Sequence, residues 1–152
     1  MQVKELGHIV LYVKDIERSA RFYGDVLGWK RLEVPTDSAL AGVPVALFSS
    51  GRTHHELLLI EVGEGAQPLP HGRHLGLYHF GLKVGDSDEE LRDALRSIQA
   101  KGVTLVGASD HTVTHSLYIQ DPDGNEIELY IDVPGVDWNV TNVMAPIKAL
   151  AL

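Results

Sequence analysis

The histidines are the side chains of this sequence that could take part in the most kinds of chemistry. The chain carries eight histidines, two methionines and no cysteine. Without cysteine it has no disulfides, no thiolate metal ligands and no cysteine nucleophile. Imidazoles bind transition metals and exchange protons near neutral pH. They are therefore the leading candidates for metal ligands and for proton transfer.

Two of the histidines stand in a repeated context. The segment His8–Asp15 aligns with His79–Asp86 at a constant distance of 71 residues, and His, Leu, Val and Asp recur at matching positions. A second cluster, Ile60–Val62, falls on Ile131–Val133 at the same distance. Two clusters at one distance indicate a duplicated module rather than a chance match.

The duplication gives His8 and His79 equivalent places in the two modules. If the modules pair about a pseudo-twofold axis, their first strands lie side by side and the two imidazoles meet. Glu128 alternates with Ile127 and Leu129, so it faces the polar side of the last predicted strand and can reach the same point. Two imidazoles and one carboxylate on one side of a metal suit Fe(II) and leave positions open for substrate and O2.

The repeat also predicts the fold class. Each half reads as a strand, a helix and three further strands, which gives an α+β protein of two βαβββ modules related by a pseudo-twofold axis. We expect a single domain over 1–152, with modules at 5–62 and 77–133, a linker at 63–76 and a tail at 134–152. The tail ends in an apolar stretch, Met144 to Leu152, which we expect to pack over a sheet edge or onto a partner subunit.

Local signals place the helices and strands. Asp15 is the predicted N-cap of a helix from Ile16 to about Leu27, and Ser87 and Glu90 form a capping box for the second helix. The segment Asp121-Pro-Asp-Gly124 has the signature of a β-turn. The predicted strands are Leu6–Val13, Trp29–Val34, Val43–Phe48, His54–Val62, Leu77–Val84, Val103–Val106, Thr114–Gln120 and Glu126–Val133.

Composition excludes several classes of partner. Thirteen Lys and Arg against 21 Asp and Glu give a net charge of −8, without a basic run, so we expect no nucleic acid partner. No apolar run approaches the roughly 20 residues of a membrane helix, and the N-terminus lacks the features of a signal peptide. We therefore expect a cytoplasmic protein with no membrane partner. An exposed edge on paired sheets would allow a homodimer.

Two stretches of the sequence resemble a known superfamily. GLYHFGL around His79 and DHTVTHSLYIQDPDGNEIELY, which starts at Asp110, resemble the vicinal oxygen chelate superfamily, and within it the type I extradiol dioxygenases of the catechol 2,3-dioxygenase type. The DPDGN segment is shared across the superfamily. The more specific part is the spacing of His111, Leu117-Tyr118 and Glu128, from which Ser109 departs where the pattern has another small or apolar residue. The resemblance covers residues 5–133.

The resemblance implies an open half-barrel of mixed sheet around a divalent metal. Its functional positions fall on the metal ligands His8, His79 and Glu128, the acid/base His111 and the hydrogen-bonding Tyr118. A further active-site histidine falls on the His54-His55 pair and is assigned to His55. It also implies Fe(II), with Mn(II) as an alternative, together with an aromatic diol substrate and O2. On this interpretation the enzyme cleaves the ring of a catechol next to its diol.

A second interpretation of the site stays open. Glyoxalase I-like members of the superfamily use a fourth ligand, a glutamate on the fourth strand, and Glu56 lies near that position. The 71-residue distance pairs Glu128 with Leu57 and so puts Glu56 on the helix-packed face. The residues then expected on the cavity side are His55, Leu57, Leu59 and Glu61. A shift of the register by one residue would exchange the two faces.

Two alternatives to a dioxygenase remain at this point. One is a glyoxalase- or epimerase-like lyase or isomerase that uses Ni, Zn, Co or Mn without O2, and the other is a drug-binding resistance protein without catalysis. The remaining histidines receive structural interpretations. His54 is expected to point away from His55, and His115 to lie on the apolar face of its strand. His71 and His74 are expected to be solvated in the linker, with contact to substrate as the alternative if the linker covers the mouth of the site.

Overall fold

Two units, each with its own sheet, make up the described part of the chain. The computed structural model describes residues 1–38, 40–141 and 147–152. Unit 1 runs from Met1 to Leu69 and unit 2 from Pro70 to Leu152. The boundary between the units falls inside the segment 63–76, which the sequence predicts as a linker.

Unit 1 is a four-stranded mixed sheet with one short helix. Its elements are β1 (Ile9–Val13), α1 (Ile16–Arg21), a π-helical turn (Phe22–Val26), β2 (Lys30–Leu32), β3 (Val45–Ser49) and β4 (Leu57–Glu61). The strands lie in the order β1-β4-β3-β2. Strand β1 runs parallel to β4, while the other neighbours are antiparallel.

Unit 2 repeats this order and adds one strand. Its elements are β5 (His79–Gly85), α2 (Asp88–Ala100), β6 (Leu105–Asp110), β7 (Thr114–Gln120), β8 (Glu126–Asp132) and β9 (Lys148–Ala149). The strands lie in the order β5-β8-β7-β6-β9, with β5 parallel to β8. Both units therefore have the strand order of a βαβββ module, which confirms the predicted α+β class.

The two helices begin as predicted and differ in length. Asp15 caps α1, since its carboxylate accepts a hydrogen bond from the Arg18 amide at 2.8 Å. The α-helix ends at Arg21 instead of near Leu27, because the next turn is π-helical, with the Leu27 amide donating to the Phe22 carbonyl. Gly28 then ends the segment at a φ of 75°.

Strand alternation sorts each sheet into two faces. In β8 the side chains of Ile127, Leu129 and Ile131 are buried, whereas Glu128 and Tyr130 are half-buried on the opposite face. In unit 2 the buried face packs against α2, which contributes two buried side chains, Leu91 and Ile98. The polar face of the sheet is therefore left for the site.

Several strand bounds differ from the prediction. The first strand begins at Ile9 instead of Leu6, and the fourth begins at Leu57 instead of His54. As a result His8 and His55 lie just outside regular strands. The strand predicted at Val103–Val106 instead runs from Leu105 to Asp110, because it pairs with β7 along its length.

The C-terminal tail covers a sheet edge. Residues 142–146, where the predicted apolar end begins, lie outside the described residues. Beyond them, Ala149 pairs with Ser109 and Lys148 with Asp110, so that β9 extends the sheet next to β6. In the described parts of the chain no helix has the length and apolarity needed to cross a bilayer.

Gly85 stands where the capping box leaves no room for a side chain. The Glu90 carboxylate accepts hydrogen bonds from the Asp86 amide at 2.8 Å and the Ser87 hydroxyl at 2.9 Å. This draws the Glu90 side chain across Gly85, where an added Cβ would lie 2.5 Å from the Glu90 Cβ. Only glycine fits there without movement of the helix start or of the strand.

We predict that Gly85→Ala lowers the free energy of unfolding by about 1–3 kcal/mol, since the new methyl group overpacks the start of α2. Urea unfolding followed by circular dichroism measures the change. The matched control is Gly65→Ala, whose Cβ would meet nothing within 4 Å. Equal unfolding midpoints for the two variants would contradict the prediction.

Candidate active site

The polar face of the unit 2 sheet gathers four of the residues predicted from the sequence. His79 begins β5, Glu128 lies on β8, Tyr118 lies on β7, and His111 follows β6. The register pairs Tyr118 with Glu128 directly, as the sequence predicts from the tight hairpin between β7 and β8. These side chains are only partly exposed.

Two carboxylates flank the His79 ring. The Nε2 atom of His79 lies 3.4 Å from Glu128 Oε2, and its Nδ1 atom lies 3.6 Å from Glu126 Oε1. Glu126 also interacts with Tyr78, since its negative charge and a hydrogen bond from the phenol raise the pKa of Tyr78. In metal-binding histidines, the ring nitrogen that does not bind the ion commonly donates to a carboxylate, and Glu126 lies at that place if Nε2 is the ligand atom.

Tyr118 connects His111 to Glu128. Its hydroxyl donates to Glu128 Oε1 at 3.1 Å and lies 2.8 Å from His111 Nε2. A phenol carries a single hydrogen, so when that hydrogen points to Glu128 the contact with His111 needs a hydrogen on Nε2. Burial, followed by the charge and the hydrogen bond of Glu128, raises the pKa of Tyr118 to about 12. Tyr118 therefore stays protonated at neutral pH, as a hydrogen-bond donor.

A tight hairpin holds His111 in place. The His111 amide donates to the Thr114 carbonyl at 2.9 Å, so that Thr112 and Val113 form the turn. Thr112 has a φ of 72°, a conformation that β-branched residues rarely adopt. The Asp110 carboxylate accepts the Thr112 amide at 2.6 Å and stabilises this turn. Strained backbone beside a chemically active side chain is frequent at functional sites.

His115 supports the base of the same hairpin. Its Nδ1 lies 2.6 Å from Asp88 at the start of α2, and its Nε2 lies 3.7 Å from Asp110. It shares its face of β7 with Leu117 and Ile119, which are fully buried. His115 therefore lies on the apolar face of its strand as predicted, and its two carboxylate partners link the hairpin to the helix.

The donor set of unit 2 fits part of a metal site. Two ligand atoms about 2.1 Å from one ion and at right angles to each other are roughly 3 Å apart, close to the separation of His79 Nε2 and Glu128 Oε2. Within the described residues, His79 Nδ1 is buried without a hydrogen bond. A Cβ at Gly81 would lie 3.2 Å from the Tyr130 ring and 3.5 Å from Glu128 Oε2, so glycine lets the Tyr130 ring lie close to the backbone here.

A third ligand is needed to complete a site of this kind. Across residues 1–38, 40–141 and 147–152, no three His, Asp or Glu side chains are arranged to hold a metal ion. Unit 2 supplies His79 and Glu128, whereas His8 belongs to unit 1. The meeting of His8 with these two residues stays a prediction.

Unit 1 brings three imidazoles together. The rings of His8 and His55 are 4.7 Å apart, and the rings of His54 and His55 are 4.5 Å apart. The Nδ1 atoms of His54 and His55 lie within 2.7 Å, so the expectation that His54 points away from His55 is wrong. Loss of solvent, followed by the neighbouring charges of His54 and His8, lowers the pKa of His55.

The register inferred for the fourth strand is wrong by one residue. Leu57 pairs with Ile9 as Ile127 pairs with Phe80, so the residue equivalent to Glu128 is Leu58. Leu57 and Leu59 are fully buried instead of lining the cavity. Glu61, also expected on the cavity side, accepts the Ile16 amide at 2.9 Å and helps to cap α1.

The corrected register moves Glu56 to the face that Glu126 occupies in unit 2. Its carboxylate accepts hydrogen bonds from Ser50 at 2.6 Å and from Arg52 Nε at 3.0 Å. Burial acts to raise the pKa of Glu56, but these partners outweigh it and lower that pKa. Glu56 therefore has protein partners for both carboxylate oxygens.

Two features of the site were not identified from the sequence. The first is Glu126, whose place beside His79 follows from the parallel pairing of β5 with β8. The second is a cavity of about 350 Å³ next to Glu128, lined in part by Trp138 from the tail. Period-2 alternation places Glu126 on the polar face but does not give its neighbour on β5.

Two of the curated proteins with sequences similar to this chain are named as dioxygenases. The chain is 35% identical over 133 residues to catechol-2,3-dioxygenase of Bacillus subtilis (strain 168), covering 88% of this chain and 43% of that protein. It is 29% identical over 128 residues to biphenyl-2,3-diol 1,2-dioxygenase 2 of Rhodococcus globerulus, covering 84% of this chain and 63% of that protein. The chain thus spans about half the length of these curated relatives.

A solved structure supports the same fold. The crystal structure of a glyoxalase/dioxygenase from Nostoc punctiforme superposes with a TM-score of 0.69 at 26% identity, covering 85% of this chain and 91% of that one. The sequence model of the Glyoxalase/Bleomycin resistance protein/Dioxygenase superfamily matches residues 5–129. The chain therefore belongs to the Glyoxalase/Bleomycin resistance protein/Dioxygenase superfamily.

Proposed function

We propose that the protein is an Fe(II)-dependent extradiol dioxygenase that cleaves the ring of a catechol-type diol with O2. The observation that carries the proposal is the connected row His111, Tyr118 and Glu128, with His79 beside Glu128. The dioxygenase names of the relatives point the same way, and one of them is an iron-dependent extradiol dioxygenase of Rhodococcus jostii (strain RHA1), 32% identical over 134 residues.

The proposed ligands are His8, His79 and Glu128. Bound Fe(II) would supply adjacent positions for the diol and O2 and the redox chemistry of ring cleavage. The part of the protein is then to position the substrate and to control its protons. Glu126, beside His79 Nδ1, would fix the orientation of that ring.

Tyr118 and His111 would handle the protons of the substrate. Because Tyr118 stays protonated, its hydroxyl can turn from Glu128 to donate to a substrate oxygen. His111 lies 2.8 Å from the same hydroxyl and 3.9 Å from Glu128 Oε1, where its Nε2 can give or take a proton. His55, beside His8, is proposed as a further active-site histidine that would stabilise O2 in the site.

The test is to load the protein with Fe(II) without oxygen, measure its iron content, and then add catechol and O2. We expect stoichiometric iron, O2 uptake and a yellow ring-fission product. O2-independent turnover of a thiol adduct would instead indicate a glyoxalase-like lyase or isomerase with Ni, Zn, Co or Mn. A protein that binds no metal under these conditions would favour the drug-binding alternative, and the proposal would fall.

The proposal also covers the binding partners, the cellular location and the oligomeric state of the protein. A small aromatic substrate and O2 are the expected partners, and the acidic net charge of −8 disfavours nucleic acid. We also propose a cytoplasmic protein and a homodimer. Size-exclusion chromatography with light scattering tests the dimer, and a monomer mass would refute it.

A further inference from the structure

A cavity opens on the polar face of unit 2 beside Glu128. Its volume is about 350 Å³. One wall is the row Glu128, Tyr130 and Asp132 along β8, and the others include Val113 of the hairpin and Val136 and Trp138 of the tail. The row leads away from Glu126 and His79, so the cavity begins where the proposed diol site ends.

The size of the cavity exceeds what one aromatic ring needs. A cavity of roughly 150 Å³ is enough for a benzene molecule. The cavity of about 350 Å³ therefore has room for a ring together with a substituent of several carbon atoms.

The lining defines the chemistry of the occupant. Val113, Val136 and the indole of Trp138 offer an apolar surface, and an indole face favours flat or branched hydrocarbon groups. Asp132, the carboxylate farthest along the row from Glu128, is paired with Lys83 at 2.7 Å. Lys83 also pairs with Asp86, and these carboxylates raise its pKa. Asp132 therefore does not need a positively charged group from the ligand as a partner, and an uncharged group fits the cavity best.

We propose that this cavity holds an uncharged apolar substituent of the diol substrate, so that the protein prefers substituted catechols to catechol itself, with Trp138 as the main specificity-determining residue. The inference rests on the proposed function, because the diol end must lie at Glu128 for the substituent to enter the cavity. Trp138 is 67% exposed and stands at the rim, where a bound substituent would cover its indole.

Tryptophan fluorescence tests the proposal without turnover. The chain has two tryptophans, Trp29 in unit 1 and Trp138 in unit 2. In the Trp29→Phe variant Trp138 is the only reporter, and in Trp138→Phe only Trp29 remains. The full chain is loaded with Fe(II) without oxygen and titrated with catechol, 3-isopropylcatechol and 4-isopropylcatechol.

We expect one or both isopropylcatechols to bind the Trp29→Phe variant roughly 10- to 100-fold more tightly than catechol, given the apolar area they bury, and to change Trp138 fluorescence. Trp138→Ala should reduce this preference about tenfold. Val113→Phe, which fills the cavity from the other wall, should also reduce it. The matched control Trp29→Phe should keep the preference of the unsubstituted protein.

The outcomes separate this inference from the proposed function. Tight catechol binding with no gain from either isopropyl group would overturn the cavity assignment and leave the dioxygenase proposal standing. A preference that survives both Trp138→Ala and Val113→Phe would also overturn it. If the iron-loaded protein binds none of the three catechols, the proposed function fails and this inference fails with it.

Discussion

Replacing Glu128 by glutamine is expected to lower the affinity of the protein for Fe(II) by more than about 100-fold, since removing even an outer partner of a metal ligand costs 10- to 100-fold. The amide keeps the shape of the side chain and can still accept the hydrogen bond from Tyr118. It lacks the negative charge that would face the ion beside His79 Nε2. The fold should therefore persist while the iron is lost.

Anaerobic competition with a coloured Fe(II) chelator measures the affinity, and the unfolding midpoint reports on the fold. Glu126→Gln is the matched control on the same face of β8, two residues away. Because Glu126 lies beside His79 Nδ1, we expect it to act through the orientation of His79, with a loss nearer tenfold. A larger loss in Glu126→Gln than in Glu128→Gln would exchange the roles of the two carboxylates. An unchanged affinity for Fe(II) in both variants would show that neither carboxylate of unit 2 takes part in metal binding.

Local chemistry explains which parts of the fold were predictable. The bounds of β7 match the prediction and those of β8 differ by one residue, because polar and apolar residues alternate throughout β8 and, apart from His115, throughout β7. The start of α2 follows from Ser87 and Glu90, whose side chains satisfy backbone and hydroxyl donors within a few residues. Signals of this kind need no knowledge of distant contacts.

The wrong register of the fourth strand has an identifiable cause. Phe48 in unit 1 and its equivalent in unit 2, Ile119, are 71 residues apart in sequence. Their partners on the next strand, Leu57 and Ile127, are only 70 residues apart. The chain of unit 1 is one residue longer in the intervening hairpin. One residue exchanges the two faces of a strand, so an internal repeat predicts faces only as far as its loops keep equal length.

The site was predictable to the extent that it depends on one hairpin. Tyr118 and Glu128 are close in sequence, and the turn between β7 and β8 fixes their pairing. The sequence predicted that His79 and Glu128 meet, but it did not give the parallel pairing of β5 with β8 that places them side by side. By contrast, the cavity beside Glu128 depends on the path of the tail to Trp138, and the tail has no periodic pattern from which to predict it.

Replacing His111 by phenylalanine is expected to leave iron binding intact and to lower kcat by about 10²- to 10⁴-fold, the usual contribution of a general acid or base. His111 is not among the proposed ligands, and its Nε2 lies 3.9 Å from the nearer oxygen of Glu128. Its direct contact is the Tyr118 hydroxyl at 2.8 Å. Phenylalanine keeps a ring of similar size on the hairpin and removes the atom that exchanges protons.

The measurement pairs anaerobic iron content with O2 uptake and product formation at saturating catechol. His71→Phe is the matched control, because His71 is exposed and lies outside the strands of both sheets, so its kcat should match that of the unsubstituted protein. Loss of iron in His111→Phe would make His111 part of the metal site instead of a proton carrier. Full turnover by an iron-loaded His111→Phe protein would end its acid/base role. Because Tyr118 remains joined to Glu128 in this variant, it would then be the residue left to control the protons of the substrate.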